Sequence, residues 1–134
     1  MALESKLIIE GHQYNVLECE YEFTQAIDVT GRPSDRPRGG MISVIIASPD
    51  DSDLMFYEWM RDKNATKEGQ IALKVNKDNW DANKSIFFKD AYCIRLYEYF
   101  NNNNSIQMYM KISIMAGSII FGNKNNGCEF VNID

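Results

Sequence analysis

Histidine is almost absent from this 134-residue sequence: His12 is alone, beside three cysteines, Cys19, Cys93 and Cys128. A structural or catalytic zinc site needs three or four nitrogen and sulfur ligands at suitable spacing. One imidazole and no CxxC pair cannot supply them. Ser/His/Asp or Cys/His catalysis would have to use His12. That residue follows Gly11 in an expected turn and reads as solvated. An odd number of widely spaced cysteines is no disulfide framework. Cys19 and Cys93 lie among apolar neighbours and read as small core residues, and reduced thiols point to folding in a reducing cytosol.

Other signals are missing too. There is no GxxxxGK or GxGxxG phosphate loop and no apolar run of about 18 residues that would span a membrane. No basic segment followed by an apolar stretch marks a secretory signal, so export would have to use another route. Positive charge is in deficit: 14 Lys and Arg against 19 Asp and Glu give a net charge of −5. A nucleic-acid partner is disfavoured, because binding the phosphate backbone calls for a basic surface. No cofactor, metal or enzymatic activity is expected.

What remains has the composition of one globular domain over residues 1–134, with 45% hydrophobic and 25% charged residues. A chain this long buries roughly two-thirds of its unfolded surface, enough for a core without staples. Lys6–Glu10 reads as a short strand closed by Gly11. Tyr14–Phe23 alternates, with Leu17, Cys19, Tyr21 and Phe23 on one face and Glu18, Glu20 and Glu22 on the other. Met41–Ala47 is an apolar run suited to a strand buried on both sides. Ser48 and Pro49 are a cap and first residue for a helix, with Asp50, Asp51 and Asp53 at its positive end. Its inner face is Met55, Phe56, Trp59, Met60 and Lys63. Strands follow around Ile71–Val75, over Ile86–Phe100, around Ile106–Ile114, over Ser118–Phe121 and at Cys128–Ile133. Polar turns are expected at Lys77–Lys84, Asn101–Ser105 and Gly122–Gly127. On the long strand, Ile86, Phe88, Tyr92, Ile94 and Leu96 are expected to share a face. The fold class is mainly β: an antiparallel barrel of two packed sheets, with one flanking helix and a long extended loop.

Two features are candidates for function. The 25–40 loop contains Gly31, Arg32, Pro33, Ser34, Asp35, Arg36, Pro37, Arg38, Gly39 and Gly40, which disfavour regular structure. A loop this long in a compact domain is usually functional or disordered. Glu18, Glu20 and Glu22 form an acidic ladder with carboxylates roughly 7 Å apart. This admits a cation site or a carboxylate pair, but a solvated or salt-bridged face is the commoner use. A monomeric ligand- or protein-binding module using the 25–40 loop is the alternative to an assembly subunit, and an enzyme built on the glutamate face is a further one.

Gly31-Arg32-Pro33-Ser34, followed by Arg38-Gly39-Gly40 running into Met41-Ile42-Ser43-Val44, resembles the loop and strand of the Hcp-type tube protein of type VI secretion, in its TssD branch. Tyr21, Phe23, Gln25 and Asp28 before the loop fall in the family's order. So do Phe56-Tyr57-Glu58-Trp59-Met60, Ala91-Tyr92-Cys93-Ile94, Tyr97-Glu98-Tyr99-Phe100 and Ile112-Ser113. The ending Asn132-Ile133-Asp134 departs from the aromatic-containing tail of other members. The resemblance implies a non-enzymatic subunit that forms hexameric rings. These stack into a tube inside a contractile sheath, tipped by a VgrG-like spike on a baseplate. Contraction expels the tube, and effectors may ride in its lumen. Assembly would be cytoplasmic and export independent of a signal peptide. Axial stacking is expected from the loop (Gly31, Arg32, Pro33, Ser34, Asp35, Arg36, Arg38, Gly39 and Gly40), with Glu18, Glu20 and Glu22 as candidate acceptors.

Overall fold

A computed structural model describes residues 5–35, 39–77 and 80–131. Eight strands and one helix follow in chain order: β1 (Lys6–Ile9), β2 (His12–Tyr21), β3 (Met41–Ala47), α1 (Met55–Arg61), β4 (Lys67–Lys77), β5 (Trp80–Phe100), β6 (Met108–Met115), β7 (Ser118–Phe121) and β8 (Cys128–Val131). The spatial order is β4-β1-β2-β3-β6-β5, closed by β4 pairing with β5, and β7 and β8 extend the sheet beyond β5. Every pairing is antiparallel. The result is the expected barrel of two sheets, with β2 and β5 long enough to belong to both.

The two corner strands explain where simple alternation misleads. In β2 a bulge sets Val16 opposite Ile46 and Glu18 opposite Ile45. A bulge inserts one residue and inverts the in–out phase. Tyr14 and Val16 therefore face the core before it and Cys19 and Tyr21 after it, while Leu17, expected inside, is 42% exposed. β5 breaks phase twice. Asp90 has φ 54, and a second irregularity lies between Cys93 and Arg95. The inward set is Ile86, Phe88, Ala91, Cys93 and Leu96, and the expected Tyr92 and Ile94 point out. β5 also starts earlier than expected: Trp80–Lys84 is strand, paired with β4 from Lys77 onward, not part of a polar turn. β3 is buried through Ile42, Val44 and Ile46, with Ser43 also covered, whereas Met41 is exposed. The β1–β2 hairpin turns on Glu10 (φ 52) and Gly11 (φ 78), the two positive angles of a type I′ turn.

The helix is shorter than its sequence suggests. Asp50 and Asp53 are used by the preceding turn: Asp50 accepts from the Ser52 amide at 2.9 Å, and Asp53 accepts from the Met55 amide at 3.2 Å. Ser48 does not cap; its hydroxyl donates to Glu98 at 2.7 Å. The helix begins only after Leu54, without a side-chain cap. A helix of two turns has little stability of its own and depends on packing. Here Met55, Phe56 and Trp59 are buried, while Met60 is exposed. Phe56 meets Tyr14 edge-on at 4.9 Å, and Trp59 donates its indole N–H to the Ala65 carbonyl at 3.2 Å.

Candidate assembly surfaces

The 25–40 loop is more ordered at its tip than its composition suggests. The Asp28 carboxylate accepts from the Thr30 amide at 2.8 Å, the Thr30 hydroxyl at 2.6 Å and the Arg32 amide at 3.1 Å. The Asp28 amide in turn donates to the Arg32 carbonyl at 2.8 Å, and the Ser34 amide to the Ala26 carbonyl at 2.8 Å. Ile27 pairs with Pro33, and Gly31 closes the turn with φ 85, an angle glycine takes without a Cβ penalty. The Thr30 hydroxyl, followed by the Arg32 and Thr30 amides, holds the Asp28 carboxyl below its ordinary range. The segment 26–34 is thus a miniature hairpin, where irregular chain was expected. Its apolar side chains face outward: Ile27 is 67% exposed and Val29 fully exposed.

The root of the loop is held by aromatic packing. Phe23 stacks on Phe130 with ring centroids 4.1 Å apart and lies edge-on to Phe121 at 5.9 Å. Gly39 passes against the same ring, where an added Cβ would sit 2.4 Å from a Phe23 ring carbon. Gly40, with φ 93, is buried and its carbonyl accepts from the Ala116 amide at 2.8 Å. Among the expected loop residues, Gly31, Arg32, Pro33 and Ser34 therefore build the tip. Asp35 is exposed, and Gly39 and Gly40 seat the return into β3. Arg36, Pro37 and Arg38 lie outside the described residues, as does the ending 132–134.

Glu18 and Glu20 stand on the outer surface of β2, and exposed Glu22 lies just past its end, where the chain leaves for the loop. Register places Glu20 in a row with Ser43, Ser113 and Arg95, and Glu18 in a row with Ile45, Lys111 and Tyr97. Glu20 pairs with Lys111 at 3.8 Å. Ser43 and Ser113 share a buried hydrogen bond of 2.8 Å between hydroxyls. Among the described residues no three His, Cys, Asp or Glu are placed to hold a metal. Burial pushes the Cys19 and Cys93 thiols up to about 11, which keeps them protonated and unreactive. His12 is exposed at the start of β2. No helix is long and apolar enough to cross a membrane among the described residues.

A recess of about 750 Å³ opens at the far end of the barrel from the loop. It lies where the β1–β2 turn, the segment after β3 and the helix meet. Glu10, Asp50, Asp53 and Glu58 line it together with Leu54 and, beneath them, Tyr14 and Trp59. Lys67, its lysine, is paired with Glu10. The Tyr14 hydroxyl donates to Asp53 at 2.6 Å. Burial first, then that carboxylate, raises its pKa. Sequence reading missed this recess because its walls come from four separate segments. It also passed over Ile27 and Val29, although the Asp28–Thr30 spacing is that of an Asx turn, which organises a loop tip.

The family model of hemolysin coregulated protein Hcp (TssD) matches residues 1–127. Hcp1 from Flavobacterium johnsoniae is 30% identical over 97% of this chain and 100% of its own, with a TM-score of 0.78. Hcp1 from E. coli EAEC 042 shares the fold at 10% identity, covering 98% of this chain and 100% of that one with a TM-score of 0.75. Hcp1 from Salmonella typhimurium does so at 10% identity, covering 97% and 92%, with a TM-score of 0.68. A comparison with curated protein sequences gives no match. A closed antiparallel barrel, a short flanking helix, a projecting loop and agreement along the whole length converge on one assignment: the chain belongs to the Hcp (TssD) family, the structural, non-enzymatic tube proteins of type VI secretion.

Proposed function

We propose that this chain forms hexameric rings that stack into the inner tube of a type VI secretion apparatus, which sheath contraction expels. The observation carrying this reading is the end-to-end agreement with F. johnsoniae Hcp1, at 30% identity over 97% of this chain. Its partners are then other copies of itself, a contractile sheath, a VgrG-like spike, baseplate proteins and effectors held in the lumen. The subunit is made in the cytoplasm and leaves with the tube.

The fold suits that role. A ring is a closed heterologous assembly, in which one patch of each subunit meets a different patch on its neighbour. Open strand edges are natural places for such joints, because their backbone groups lack partners. β8 pairs with β7 alone, and past Val16 β2 has only β3 beside it, among the described residues. Axial stacking falls to the loop, with Gly31, Arg32, Pro33, Ser34, Asp35, Arg36, Arg38, Gly39 and Gly40 as its contact segment. A single exposed ion pair contributes about 0–1 kcal/mol, so the sixfold repetition of the contact around each ring is what makes stacking effective. The test is export by the bacterium that makes the protein. The chain is expected in the culture medium and expected to vanish from it when the sheath gene is deleted. Unchanged export without the sheath would end the proposal.

A further inference from the structure

We infer that the acidic recess is the socket for the loop tip of a second copy: Ile27, Val29 and Arg32 of one subunit seat against Leu54, Glu58 and the acidic rim of the subunit in the next ring. This rests on the stacking reading above and names the acceptor of that contact.

Topology sets the two features at opposite poles. The loop leaves the end of β2 at Tyr21 and re-enters at Met41. The recess is built from the start of β2 and the segment that follows the end of β3. The ten residues of β2 span about 33 Å at the usual strand rise. In a stack of rings that all point the same way, the loop pole of one ring meets the opposite pole of the next. Glu18 and Glu20 sit on the loop's own half of β2 and Glu22 just past its end, so all three belong to the loop's pole, and Glu20 already holds Lys111.

The two surfaces also match in chemistry. The tip offers fully exposed Val29 and largely exposed Ile27 on a turn fixed by Asp28. Arg32 is held there by its backbone, and its guanidinium has no partner among the described residues. The recess offers half-exposed Leu54 and four carboxylates. The Glu58 carboxylate has no partner among the described residues, while Glu10 is held by Lys67 and Asp53 by Tyr14. An arginine fork suits a carboxylate, and a tip already ordered loses little freedom on docking.

The test is cross-linking between copies. Cys128→Ser removes the exposed thiol; Cys93 is buried and Cys19 packs toward the core, and the Cys128→Ser parent oxidised alone gives the background from those two. Val29→Cys is then combined with Glu58→Cys, and separately with Glu18→Cys. All three positions are exposed, so folding is preserved. Each protein is oxidised at high concentration in crowding buffer, after its ring mass has been measured. The 29–58 pair is expected to give roughly tenfold more disulfide-linked copies than the 29–18 pair, and rows of stacked rings by electron microscopy, since linking follows effective concentration. In a second arm, Arg32→Glu and Glu58→Arg each shorten the stacks, and the double variant restores them. Intact rings with no 29–58 link, or with the 29–18 link dominant, overturn the socket and leave the ring reading standing. Absence of rings in the Cys128→Ser parent overturns the ring reading, and the socket with it.

Discussion

Phe56→Ala is expected to lower the midpoint of thermal unfolding by about 15 °C. The ring is 1% exposed on the buried face that it shares with Met55 and Trp59 in a seven-residue helix. Truncating a buried phenylalanine to alanine costs about 3–5 kcal/mol, through lost transfer energy and the cavity left behind. For a domain of this size each kcal/mol moves the midpoint by about 3–5 °C. The loss is at the upper end here because the edge-on contact with Tyr14 at 4.9 Å goes with it. That contact helps hold the Tyr14 hydroxyl against Asp53, and so the turn that starts the helix. Tyr57, whose hydroxyl donates to Glu98, gives the helix a second tie to β5. Calorimetry of the variant beside the parent protein at equal concentration checks the value; a fall of less than about 5 °C would mean that the helix is not supported by the Phe56 side chain.

Phe23→Ala is expected to leave the barrel folded and to loosen the loop. Phe23 is the hinge between two peripheral elements: it stacks on Phe130 of β8 at 4.1 Å and packs against Phe121 of β7 at 5.9 Å. An aromatic pair contributes about 0.5–1.5 kcal/mol beyond the area it buries. Removing a partly buried ring with two such partners costs about 2 kcal/mol. Gly39 rests on this ring, so the return of the loop into β3 loses its seat. Rings are expected to form while stacks become shorter, and amide exchange is expected to rise in 22–35 and 128–131 but not in β3 or β6. Exchange that rises evenly over the barrel would place Phe23 in the general core and separate it from the loop.

Much of this fold is legible in the amino-acid order, and the illegible parts share a cause. β7 runs over Ser118–Phe121 as expected. β3 runs over Met41–Ala47, because a β-branched apolar run between glycines and a proline has few other uses. The inward face of β2 is legible at Cys19 and Tyr21 but not at Leu17, and that of β5 is not legible between Asp90 and Arg95. Period-two reading assumes one phase per strand, and a strand that turns a barrel corner changes phase at each bulge. The helix start was misread because Ser48, Asp50 and Asp53 are all good capping residues, and their real partners are Glu98, Ser52 and Tyr14, the first and last being distant in sequence. The loop was recognisable as functional from its Gly, Pro and Arg content. Its tip was not, since a nine-residue hairpin held by Asp28 leaves no alternation to detect. The socket is the least legible feature, being built from β1–β2, the end of β3, α1 and the start of β4.

The claim underlying all of this is that copies of the chain close into a ring of six. Light scattering on purified protein tests it most directly. One subunit weighs 15.4 kDa, so six times 15.4 kDa predicts a species of about 92 kDa that persists on dilution through the micromolar range. A single species near 15.4 kDa at every concentration would contradict it.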